Sequence, residues 1–135
     1  MSLLSRPTLR WMSALSLALA TLGVAAQASA GETARSYLSK AEIQARLIGK
    51  GVVSKNLASG KLSHWDFHAD GRVEAVSRSG LGSASGTWSI RDDGQMCVSM
   101  LGRTGCRYWF QQGDAFANAD SNAPDAQTVA EVRLD

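Results

Sequence analysis

The stretch Gln95-Met96-Cys97-Val98-Ser99-Met100-Leu101-Gly102-Arg103-Thr104-Gly105-Cys106-Arg107-Tyr108-Trp109-Phe110-Gln111 decides the fold. Its first part alternates. Met96, Val98 and Met100 fall on one face of an extended chain and Cys97 on the other, because successive side chains of a strand point to opposite sides. Its last part alternates as well, with Cys106, Tyr108 and Phe110 together and Trp109 opposite them. Leu101 to Gly105 holds two glycines, which suits a chain reversal. Folded as a hairpin, the stretch brings Cys97 and Cys106 near opposite positions on adjacent strands, where cross-strand neighbours meet the ~5.5–6 Å Cα separation of a disulfide. Chain-entropy arguments give roughly 2.7 kcal/mol for closing so short a loop. The C-x8-C spacing is not the C-x-x-C of a redox dithiol, so the pair reads as structural.

The same alternation continues on both sides. Gly86 to Ile90 places Trp88 and Ile90 on one face and runs into the turn Arg91-Asp92-Asp93-Gly94. Lys61 to His68 carries Trp65 and Phe67 at period two, followed by the turn Ala69-Asp70-Gly71. Arg72 to Ser77 alternates imperfectly through Val73 and Val76, and Ser79 to Gly86, rich in Gly and Ser, reads as a flexible connection. Downstream, Gln112-Gly113-Asp114 turns the chain before Ala115 to Asn118. Ala119 to Gln127 is a polar loop or mobile segment, and Val129 to Leu134 a final strand with Val132 and Leu134 inward. Short runs at this spacing predict a mainly β fold, a small antiparallel meander closing as a barrel or a sandwich. One short helix precedes it. Ser39-Lys40-Ala41-Glu42 matches the S-x-x-E capping box, Ile43 and Leu47 share a face, and Gly49 and Gly51 end the helix.

Residues 1–30 read as a signal peptide: Arg6 and Arg10 precede an uncharged run, Ala14 to Ala26, and Gln27-Ala28-Ser29-Ala30 supplies the small residues of a cleavage site. The apolar run is shorter than the ~20 residues a membrane helix needs, and no membrane span is expected in the mature chain. Residues 31–38 then form a loose leader and 39–135 a single β-rich domain with one disulfide. The expected location is periplasmic or secreted, where a cysteine pair oxidises. Without Arg6 and Arg10 the 14 Lys and Arg of the whole chain fall to parity with its 12 Asp and Glu. A balanced, interspersed surface gives no footprint for nucleic acid or for acidic membranes.

Asp70-Gly71, Gly86-Thr87-Trp88, Asp93-Gly94-Gln95-Met96-Cys97 and Cys106 together resemble a family of small secreted proteobacterial proteins grouped as a domain of unknown function. The likeness covers Leu38 to Asp114 and implies a secreted β-rich fold with no assigned chemistry. Gly86-Thr87-Trp88 also echoes the G-x-W of lipocalins, but that signature belongs to a first strand. The residues after Trp88 are too few for seven further strands of ~5–6 residues with their loops. That count does not exclude a shorter barrel holding a small apolar ligand.

Candidate sites are few. His64, Asp66 and His68 share a strand face, and adjacent members, about 6.6–6.8 Å apart, can meet one metal ion. His64 and His68, ~13 Å apart, cannot chelate together without bending. The competing reading is a solvated outer face opposite Trp65 and Phe67. Met96 and Met100 could offer thioethers to copper(I), yet their pattern with Val98 is that of core packing. Trp109 points away from Tyr108 and Phe110, so an exposed aromatic is expected on one face or the other, and Arg107, Tyr108 and Trp109 form the candidate partner surface. Asp66 with His64 or His68, and Ser63 or Ser99, have the types needed for acid/base or nucleophilic work, but no motif fixes them. No enzyme and no cofactor is therefore expected. The leading expectation is an exported binding or accessory domain of the cell envelope acting through a protein partner or a small ligand, the alternative a periplasmic metal-binding protein using His64, Asp66 and His68.

Overall fold

The computed structural model describes residues 35–135 except 79 and 81; the expected signal peptide and the first residues of the leader lie outside them. One helix, α1 (Lys40–Arg46), precedes eight strands: β1 (Gly51–Asn56), β2 (Leu62–Phe67), β3 (Arg72–Ser77), β4 (Ser83–Ile90), β5 (Met96–Met100), β6 (Arg103–Gln112), β7 (Ala115–Ala119) and β8 (Thr128–Leu134). Each strand pairs antiparallel with its neighbours in sequence, and β8 returns to β1, closing an up-and-down barrel. Closure resolves the choice between barrel and sandwich.

Register fixes what faces inward. Val52 lies opposite Trp65, Trp65 opposite Ala75, Ala75 opposite Ala84. Farther round, Trp88 pairs with Val98, Val98 with Gly105, and Trp109 with Asn118. Cys97 sits directly opposite Cys106, Cα–Cα 4.0 Å, and the two form a disulfide on the outer face of the β5–β6 hairpin. The reversal is tighter than the sequence suggests, only Leu101-Gly102 with φ of 52° and 73°, a two-residue loop whose twist matches that of its strands.

Three features depart from expectation. Gly51, read as ending the helix, opens a strand that was not expected, Gly51–Asn56, and it is the one that closes the barrel. Ser83 to Gly86, read as part of a flexible connection, already belongs to β4, because Gly86 faces Val73 and Met100 in the ladders. The end of the leader is not loose: Tyr37 bridges to Phe110 and Leu38 is buried. Arg35 stacks over the Phe110 ring and donates to the Ala126 carbonyl, while Tyr37 Oη donates to the Ala123 carbonyl at 2.6 Å. Those two bonds also tie down the stretch 119–127, read as a loop or mobile segment, whose first residue, Ala119, belongs to β7.

The helix plugs one end of the barrel. Ser39 caps it with both bonds of the capping box, Glu42 N–H to Ser39 Oγ and Ser39 N–H to Glu42 Oε2. Its Ile43 and the following Leu47 are fully buried, against a floor that includes Val52, Phe67, Met96 and Trp109. Backbone bonds weld it in place: Leu38 N–H donates to the Trp109 carbonyl and Gly49 N–H to the Phe67 carbonyl, both at 2.7 Å. Gly94, with φ of 87°, lets the β4–β5 turn come so close to the Leu38 carbonyl that a Cβ would stand 2.5 Å from it.

Candidate functional site

Eight strands leave a barrel interior wide enough for side chains alone or for one small ligand. Here the plugged half is packed and the other half is not. A cavity of about 460 Å³ runs from the floor toward the opposite end, within the range of small-molecule sites. Trp65, Phe67, Val98 and Met100 give it an apolar wall. The Trp65 and Phe67 rings stack, 6.2 Å between centroids, and Phe67 meets Trp109 edge-on at 6.5 Å. Ser54, Ser63 and Asn118 place small polar groups among them.

The strand directions say which end is open. The β2–β3, β4–β5 and β6–β7 turns lie at the end that α1 covers, and the β1–β2, β3–β4, β5–β6 and β7–β8 connections at the other. The cavity reaches Ser59 and Lys61 of the β1–β2 connection and Arg103 at the start of β6. Arg107 lines it too; its Nη1 donates to the Cys106 carbonyl at 2.9 Å and lies 2.7 Å from Asp120 Oδ1. Among the described residues, every charged residue on this wall is cationic. Asn118 is 6% exposed, and its Oδ1 has no hydrogen-bond partner among the described residues.

The predicted partner surface does not exist as one face. Arg107 and Trp109 turn into the barrel, where Trp109 is 6% exposed, while Tyr108 faces outward and donates from Oη to Asp93 Oδ2 at 2.7 Å. That hydrogen bond holds the Asp93 carboxyl below the ordinary aspartate range and raises the Tyr108 hydroxyl above the ordinary tyrosine range. Met96 and Met100 line the cavity, on either side of Val98.

His64 and Asp66 do come together on the outer face, His64 Nε2 to Asp66 Oδ2 3.1 Å. His64 Nδ1 lies 3.0 Å from Asp135 Oδ2 without the alignment of a hydrogen bond, and Asp135 is also 3.4 Å from Arg78 Nη2. His68 turns instead to Glu74, Nε2 to Oε2 3.4 Å. Among the described residues no three His, Cys, Asp or Glu side chains converge as a ligand set. The serines do not meet a base either. Ser63 faces the cavity, whose wall carries no His, Asp or Glu, and Ser99 faces out, bonded to Thr104 Oγ1 at 2.7 Å.

Lys61, Arg103 and Asn118 were not singled out from sequence, yet parity carries the signal for the arginines. If Met96 and Val98 face in and the cystine faces out, then Gly105, Arg107 and Trp109 face in as well, and Arg103 with them. No family model, curated protein or solved structure matches this chain.

Proposed function

We propose that this chain is an exported binding protein that carries a small, largely apolar molecule inside its barrel without transforming it. The observation that carries the reading is the half-filled interior: one end plugged by Ile43 and Leu47, the other leading into a cavity of about 460 Å³ walled by Trp65, Phe67, Val98 and Met100. A fold stabilised only by packing fills its barrel, since interiors are close-packed. Binding rather than catalysis is supported by a wall that, among the described residues, carries no His, Asp, Glu or Cys to move a proton or attack a bond. Export is supported by the Cys97–Cys106 disulfide and by the signal-like residues 1–30.

The test uses N-phenyl-1-naphthylamine, a neutral probe that brightens in apolar surroundings. Saturable binding with one probe per chain, quenching of the tryptophan emission, and loss of both on filling the cavity by Ala130→Phe with the fold retained by circular dichroism are expected. No saturable binding by the wild type would sink the reading.

A further inference from the structure

The distribution of charge around the cavity goes further than its apolar wall. We propose, resting on the small-ligand reading above, that the barrel selects a single-chain amphiphile with an anionic head group, its tail against Trp65 and Phe67 and its head at the open end beside Lys61 and Arg103. Among the described residues the cavity wall has three cations, Lys61, Arg103 and Arg107, and no acid, although acids and bases balance over residues 31–135. An apolar tail alone needs none of these charges. Within an apolar enclosure, moreover, a fixed charge acts on a ligand more strongly than it would in water.

The three cations are not equivalent. Arg107 is already engaged by Asp120 through Nη1, which leaves its Nε and Nη2 donors without a protein partner among the described residues. Lys61 and Arg103 have no ion pair among the described residues. They stand at the open end, where a head group would remain in contact with water. Gly105, between the two arginines on the inner face of β6, leaves open space: a Cβ there would meet nothing within 4 Å. The guanidinium stems are therefore separated by a gap in the wall and not by another side chain.

One further observation points to the same kind of occupant. Leu57 and Leu101, in the β1–β2 and β5–β6 connections at the open end, are exposed. Exposed apolar side chains beside cations suit a molecule that has both an oily and a negative part.

The experiment competes N-phenyl-1-naphthylamine from the full chain with dodecanoate, dodecan-1-ol and dodecyltrimethylammonium at equal tail length, below their aggregation concentrations, at pH 7.5. Dodecanoate is expected to displace the probe at least tenfold more tightly than the alcohol, and the ammonium most weakly. The preference should shrink as salt rises and should fall to within threefold in Lys61→Gln/Arg103→Gln, with the probe's own affinity measured in that variant and used to convert each displacement. Equal affinities for the three, or a preference that survives in the double variant, would overturn the proposal while leaving a neutral-ligand carrier standing. Failure of the probe itself would remove the small-ligand reading first, so the two failures are separable.

Discussion

The Trp88 indole N–H donates to the His68 carbonyl at 2.8 Å, while the Trp88 backbone N–H donates to the Gly71 carbonyl at 2.9 Å. One residue of β4 thus holds the β2–β3 turn twice, once through the ring and once through the chain. This is the physical content of the Gly86-Thr87-Trp88 run: the tryptophan pins a turn at the plugged end and the glycine lets a neighbouring strand approach. Trp88→Phe keeps most of the apolar area but leaves the His68 carbonyl with the Gly71 N–H, at 3.1 Å, and without the indole. A loss of about 1 kcal/mol is expected in urea unfolding, with faster amide exchange across residues 68–72; an unchanged midpoint would count against this role.

Gly86 permits a close approach that no other residue can. A Cβ placed on it would stand 2.0 Å from the Ser99 carbonyl oxygen, a backbone atom that cannot swing aside. Gly86→Ala is therefore expected to spread β4 from β5 and to destabilise the barrel by about 1–3 kcal/mol, read as a lowered thermal midpoint. Full wild-type stability would show that the strands do not sit so close.

The cystine closes the β5–β6 hairpin from outside. Cys97→Ser/Cys106→Ser removes it together with its constraint on the unfolded chain, and a destabilisation of roughly 2.7 kcal/mol is expected from the chain-entropy model. Oxidised and reduced wild type should differ by a similar amount in urea unfolding. Identical midpoints would mean that the hairpin contributes its order unaided.

Leu101 occupies the first position of the two-residue turn at positive φ, where a side chain crowds its own carbonyl. It is 81% exposed, so little packing offsets that cost. Leu101→Asn is expected to stabilise the domain by about 0.5–1 kcal/mol, since Asn tolerates this backbone and Asn-Gly favours the turn type. A lowered midpoint would contradict the assigned turn.

Tyr108 and Asp93 form a pair whose pH dependence has a definite sign. The Tyr108 hydroxyl, and next the Gln95 N–H, favour the charged form of Asp93 and depress its pKa. The stability this adds is fully present above the ordinary aspartate value and is lost as pH falls through the depressed one. Tyr108 is shifted the other way by the same bond, so its contribution holds below the ordinary tyrosine value and fades as pH rises through the raised one. In Tyr108→Phe the Asp93 midpoint, followed by carboxyl NMR, should move up. It should stop short of the ordinary value because the Gln95 N–H remains; no movement would sever the pair.

Local order was legible in the sequence where a single short-range rule decides it. Ser39 and Glu42 announce a capping box, Asp70-Gly71 and Asp93-Gly94 announce turns, and the spacing of Cys97 and Cys106 announces a hairpin crosslink. What depends on distant partners was not. β1 carries too weak an alternation to be recognised alone, and it acquires strand character by lying between β2 and β8. The face of Trp109 was readable from parity, but which face is inside is a property of the closed barrel. A cavity has no residue of its own to announce it, so Asn118 and Arg103 become meaningful only once the walls are in place.

The β1–β8 seam joins Val52 to Leu134 and Asn56 to Ala130, nearly the widest sequence separation available within the described domain. Such non-local pairing is slow to form, because the ends of a long floppy segment must meet before any contact rewards them. During synthesis β1 leaves the ribosome long before β8, and until then its outer hydrogen-bonding groups face water unpaired. The ring of strands therefore cannot close until its last member is complete, and the first strand waits longest for its second partner.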